Sequence, residues 1–135
     1  MRKVLVFGAL LAFAAISCTP TTTETAETTQ TEDKKMLRHV VLFKFKDTSS
    51  PEEVKTVEDA FRNLPNEIPE IKGFEWGTNN SPEGLDAGFT HAFLVSFESE
   101  EDRAIYLPHP KHKEFVDILS PHLDKVLVVD YWAEK

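Results

Sequence analysis

Two stretches of the chain, Leu37–Phe45 (LRHVVLFKF) and Phe89–Glu98 (FTHAFLVSFE), limit its possible folds more than any other feature, because each is apolar on both of its alternating faces. In the first, His39, Val41, Phe43 and Phe45 fall on one side, and Arg38, Val40, Leu42 and Lys44 on the other. In the second, His91, Phe93, Val95 and Phe97 align against Ala92 and Leu94. β-Branched and aromatic residues at period two read as strands. A strand with one wetted face needs a single apolar row. Here both rows ask for cover.

Helical patterns separate these strands. After a turn at Asp47–Ser50, Ser50 is placed to cap a helix, with Pro51 at its first position and Glu52 and Glu53 at its positive end. Val54, Val57, Ala60, Phe61 and Leu64 then recur at three- and four-residue intervals, up to a break expected at Pro65. A strand is expected over Ile71–Thr78, with Phe74 and Trp76 on one face, and a Gly/Asn/Pro-rich loop over Asn79–Gly88. Ser99 opens a helix that Pro108 and Pro110 interrupt; helix resumes over Lys111–Leu119, and Val126–Trp132 is a last strand.

The order β-α-β-β-α-β is that of a ferredoxin-like α+β fold, a four-stranded antiparallel sheet with its helices on one side. Those helices leave one apolar row bare. A homodimer that packs sheet to sheet and closes into an α/β barrel supplies the missing cover, and any chamber is expected inside it.

The first 35 residues stand apart. Arg2 and Lys3 precede an apolar run, Val4–Ile16, too short to cross a bilayer core of about 30 Å and suited to a secretion signal. The run ends in Ala15-Ile16-Ser17-Cys18, which resembles the bacterial lipobox, with Ala15 where Leu is usual. The resemblance implies removal of residues 1–17, acylation of Cys18 (palmitate-type chains) and an envelope lipoprotein, periplasmic or surface-exposed. Residues 18–35, with eight threonines between Thr19 and Thr31, hold little that could pack and read as a tether to a domain at 36–135. Loss of Arg2 and Lys3 would take the net charge from −8 to −10. Nucleic acid is a poor partner for so acidic a chain, as is an anionic lipid surface, so membrane residence is assigned to the anchor. With Cys18 the sole cysteine, no internal disulfide is possible.

Over residues 36–134 the chain resembles the stress-responsive dimeric α/β barrel (Dabb) proteins. The resemblance is carried by His39-Val-Val-Leu-Phe-Lys-Phe-Lys46, by Gly88-Phe-Thr-His91, by the Asp130-Tyr131 pair and above all by Tyr106-Leu-Pro-His109-Pro-Lys-His112. Most members have no assigned chemistry, while some plant relatives are polyketide cyclases that use a tyrosine and a histidine. By position these would be Tyr106 and His112, with His39 and His91 lining the pocket.

Two classes of function are weighed. One is a module that binds or protects a small apolar molecule without turnover. The other is a cyclase, lyase or isomerase in which His112 removes a proton next to a carbonyl while Tyr106 donates to the developing enolate. In either, Phe43, Trp76, Phe93, His39, His91 and His109 are the expected pocket residues, each with a plainer use in the core or in fixing a loop. A haem- or quinone-handling monooxygenase is a third option by family analogy, although nothing selects a haem ligand. No cofactor and no metal are expected: the proline between His109 and His112 spoils a paired-imidazole geometry, and no third ligand is evident. Neither a phosphate-cradling glycine loop nor a Ser-His-Asp or Cys-His nucleophile is legible.

Overall fold

The structure, a computed structural model, describes residues 35–134. The expected signal, Cys18 and the expected tether up to residue 34 lie outside the described residues. Seven elements follow in order: β1 (Leu37–Phe45), α1 (Pro51–Glu67), β2 (Gly73–Thr78), β3 (His91–Phe97), α2 (Glu100–Tyr106), α3 (Pro110–Leu119) and β4 (Leu123–Trp132). The strands form one antiparallel sheet in the order β2-β3-β1-β4. The ferredoxin-like arrangement expected from the sequence is the one present.

Local chemistry sets the helix ends. Ser50 accepts from the Glu53 amide while the Glu53 carboxylate accepts from the Ser50 amide, so two otherwise orphaned donors are satisfied together. The helix does not stop at Pro65 as expected. It runs two residues further, because Pro65 removes only one bond in the last turn and the Ile68 amide still reaches the Leu64 carbonyl at 2.9 Å. Leu64 and Ile68 are both fully buried and pin that turn down. In the second helical region, Pro108 and Pro110 split the segment into α2 and α3. At the start of β3, Gly88 sits at φ +83°, where a Cβ would crowd the Lys44 side chain at 3.0 Å.

Which apolar row meets the helices is decided by size. Layers of helix and sheet stand about 10 Å apart, and large rings span that gap. Phe43, Phe45, Phe93 and Phe97 lie beneath the helices with His39, Val41 and Val95. Phe61 of α1 is the centre, with its ring 4.5 Å from Phe93 and 4.4 Å from Phe115 of α3. The smaller row is left open. Val40, Leu42 and Leu94 are half-buried, and Leu127, Val129 and Tyr131 of β4 continue that face at 41–49 % exposure.

The helix layer does not reach the sheet edge at β4. Val126 and Val128 are on the helix side, opposite Phe43 and Val41, yet each is 50 % exposed. A groove runs there between β4 and the α2–α3 segment.

Candidate functional site

The groove encloses about 380 Å³ and is walled by Val41, Phe43, Phe115, Leu119, Val126 and Val128, with His39, Tyr106, His112 and Asp130 as its main polar groups. It lies within one subunit, on the helix side, and needs no second sheet to form it. Alternation showed that two apolar rows existed but not which one the helices would cover.

The break between α2 and α3 builds the polar end of the groove. Pro110 occupies the first position of α3, where its missing N–H costs nothing, and the His109 ring caps the helix by accepting from the Lys111 amide at 3.2 Å. That use commits His109 to the turn. One turn further, His112 Nδ1 lies 3.0 Å from the Leu107 carbonyl, at the end of α2 where carbonyls lack helical partners. A carbonyl can only accept, so Nδ1 carries the proton and donates, and in the neutral ring the lone pair is on Nε2. Burial pushes the His112 pKa below its ordinary 6.5; the Leu107 bond opposes this, while His39 and His109 add to it. The ring is therefore a neutral base near pH 7.

Tyr106, the last residue of α2, packs against that ring at 4.4 Å. It is fully buried, and its hydroxyl has no hydrogen-bond partner among the described residues. Burial pushes its pKa above the ordinary 10.0, so the phenol stays protonated and available as a donor. An unpaired buried hydroxyl costs about 1–3 kcal/mol. The fold tolerates that cost at the wall of its groove.

His39 completes the set from the sheet. Its Nδ1 is 2.6 Å from Asp130 Oδ1, its register partner on β4, and Asp130 Oδ2 accepts from Arg103 of α2 at 2.6 Å. The ring stands edge-on to Tyr106 at 5.9 Å.

The other expected pocket residues go elsewhere. Phe93 is core beneath α1. His91 uses both nitrogens, Nε2 with Glu58 at 2.9 Å and Nδ1 with Thr90 at 2.8 Å, and borders a separate cleft under the 79–90 loop. Trp76 stacks against Phe93 and His91 at the β2 edge of the sheet, away from the groove, with Arg62 over its ring. The structure thus brings together His39, Phe43, Tyr106 and His112, and not His91, Trp76, Phe93 or His109. Arg103 was not singled out from the sequence, and Asp130 entered only through the family resemblance. A lone carboxylate in the apolar VLVVDYW run, in step with Val126 and Val128, was the available signal for Asp130; Arg103 carried none. Among the described residues no cluster of three or more His, Cys, Asp or Glu side chains is arranged to hold a metal.

Fold and groove together define a ferredoxin-like α+β domain with one open sheet face and an apolar groove ending in a Tyr–His pair. Residues 37–133 match the Stress responsive A/B Barrel Domain (Dabb), and the chain belongs to that family. It is 46 % identical over 100 residues to the stress-response A/B barrel domain-containing protein HS1 of Arabidopsis thaliana, covering 74 % of this chain and 92 % of that one. It is 32 % identical over 99 residues to olivetolic acid cyclase of Cannabis sativa, covering 73 % and 98 %. The hydroxynitrile lyase of Passiflora edulis has the same fold with a TM-score of 0.71 at 30 % identity, covering 76 % and 96 %. Other solved structures of this fold are described as dimeric ferredoxin-like proteins of unknown function.

Proposed function

We propose that the groove carries out proton transfer on a small, uncharged, largely apolar carbonyl compound, in a homodimeric lipoprotein held at the bacterial envelope through Cys18. The observation that carries the reading is the partnerless Tyr106 hydroxyl beside a neutral imidazole whose Nε2 is the basic atom. His112 Nε2 takes a proton from the carbon next to the carbonyl. The C–H electron pair moves into the carbonyl, and the oxygen that gains charge accepts from the Tyr106 hydroxyl. Return of the proton to carbon, or loss of a group from the enolate, gives isomerase or lyase outcomes. A cyclase and a hydroxynitrile lyase among the relatives support chemistry of this class.

The dimer is proposed from the open face, where Val40, Leu42, Leu94, Leu127 and Val129 form an apolar strip, and from the dimeric neighbours. Val129→Glu would place a carboxylate in that strip and should convert a dimer to a monomer by sedimentation. Equal sedimentation of both proteins would contradict the pairing.

The second reading, binding without turnover, is favoured by the apolar walls, which suit capture alone. Deuterium exchange into 4-phenylbutan-2-one, followed by NMR, separates the two. The protein should accelerate exchange, and His112→Ala should lose that acceleration by about 10²-fold or more. A ketone that binds the groove with no acceleration would leave the protein a binding module.

A further inference from the structure

His39 is an imidazole in the groove that the proton transfer does not use. Around it are Asp130 from β4, Tyr106 from α2, His112 from α3 and Phe97 from β3, with Arg103 of α2 bonded to Asp130. Asp130 can only accept, so the 2.6 Å contact makes His39 Nδ1 the protonated nitrogen and leaves Nε2 as the acceptor in the neutral ring. A carboxylate held on one oxygen alone is free to rotate. Arg103 takes the second oxygen at 2.6 Å and fixes it from the other side. The Arg103, Asp130 and His39 side chains are 24 %, 28 % and 8 % exposed, so the chain runs from the protein edge into its interior.

The groove therefore contains two imidazoles with the same commitment. Each has its Nδ1 spent on a fixed acceptor, the Leu107 carbonyl for His112 and the Asp130 carboxylate for His39. Among the described residues no Lys or Arg side chain lines the groove, and Asp130 does, which disfavours carboxylate and phosphate ligands. The geometry points to His39 as a specificity-determining acceptor, oriented by Asp130 and Arg103 as positioning residues. The corresponding ligand is an uncharged, apolar molecule that brings a hydroxyl donor to His39 besides the group that meets Tyr106 and His112. A ligand without that hydroxyl leaves a desolvated acceptor unpaired, and such sites reject it strongly.

This deepens the proton-transfer reading and rests on the same groove, but its test needs no turnover. Binding of octan-1-ol and octane-1,2-diol is measured by calorimetry at about pH 8 on the wild type, Asp130→Asn, Arg103→Gln and Arg103→Lys. The wild type should prefer the diol about tenfold, the value of one good hydrogen bond. In Asp130→Asn the amide can donate to Nδ1 and switch the tautomer, so Nε2 becomes a donor and the preference for the diol over octanol should vanish. Arg103→Gln should lose most of the preference, and Arg103→Lys should restore part of it. In ligand-free protein the far-downfield His39 Nδ1–H proton signal should be present in the wild type and absent in Asp130→Asn. Loss of binding through unfolding would appear as loss of this signal together with dispersed amide shifts, and would be met by scoring Arg103→Lys against Arg103→Gln alone. Unchanged diol preference in folded Asp130→Asn and Arg103→Gln would overturn the inference. A diol preference that behaves as stated, without proton exchange in the ketone assay, would sink the proton-transfer reading and leave this one standing.

Discussion

Replacing Tyr106 by Phe should stabilise the ligand-free protein and weaken its function. The substitution removes only the hydroxyl, which is buried with no partner. An unsatisfied buried hydroxyl costs about 1–3 kcal/mol. Losing one oxygen leaves a void of roughly 10 Å³, which returns only about 0.2 kcal/mol of that at ~24 cal/mol per Å³. The ring contacts to Phe97 at 5.1 Å and His112 at 4.4 Å are retained. A net gain of about 1 kcal/mol follows, or about 4–8 °C in melting temperature for a domain of this size. Urea unfolding at neutral pH measures it directly. The difference should also depend on pH. Burial raises the Tyr106 pKa above 10.0, so this site's contribution to wild-type stability is intact below pH 10.0 and is lost as the pH climbs through the folded-state value. Tyr106→Phe has no phenol to ionise, so its advantage should widen above pH 10.0. A loss of 1 kcal/mol or more at neutral pH would refute the reasoning, because it would mean that the hydroxyl is bonded in the folded chain rather than held for a ligand.

Phe61→Ala removes the ring at the centre of the Phe43, Phe74, Phe93 and Phe115 cluster and should cost about 3–5 kcal/mol by denaturant titration; a cost under about 1 kcal/mol would move the centre of the core elsewhere. His112 has its pKa lowered chiefly by burial, so the acid limb of the exchange rate should lie below pH 6.5, and a limb above that value would point to another base. The same shift gives a stability contribution that is whole above pH 6.5 and is lost as the pH falls through the folded-state value. His112→Asn should therefore narrow its deficit against the wild type in acid, read from unfolding curves at about pH 8 and about pH 5.

The fold was legible because its signals are local. Ser50-Pro51 and Ser99 with its acidic followers mark helix starts, and the period-two rows of β1 and β3 mark strands, with α1 and α2 starting where those signals place them. Boundaries moved where tertiary contacts outweighed propensity. Buried Leu64 and Ile68 carry α1 past Pro65, and pairing with β1 starts β4 at Leu123 rather than Val126. The site was half legible. Tyr106 and His112 share one short motif, and the Pro108–Pro110 break that joins them is visible in it. The His39–Asp130–Arg103 chain joins residues 91 and 27 positions apart, and no local pattern encodes such a pairing. His91 looked equivalent to His39 on its strand, yet its neighbour Glu58, from a helix 33 residues earlier, takes it out of use.

In the reading proposed above, ligand chemistry takes place in the helix-side groove of a single subunit. Amide and side-chain methyl shifts on titration with 4-phenylbutan-2-one test it most directly. The perturbations should cluster on Tyr106, His112, Val126 and Val128. Perturbations confined to Val40, Leu94, Leu127 and Val129 would place the ligand on the open face of the sheet and contradict it.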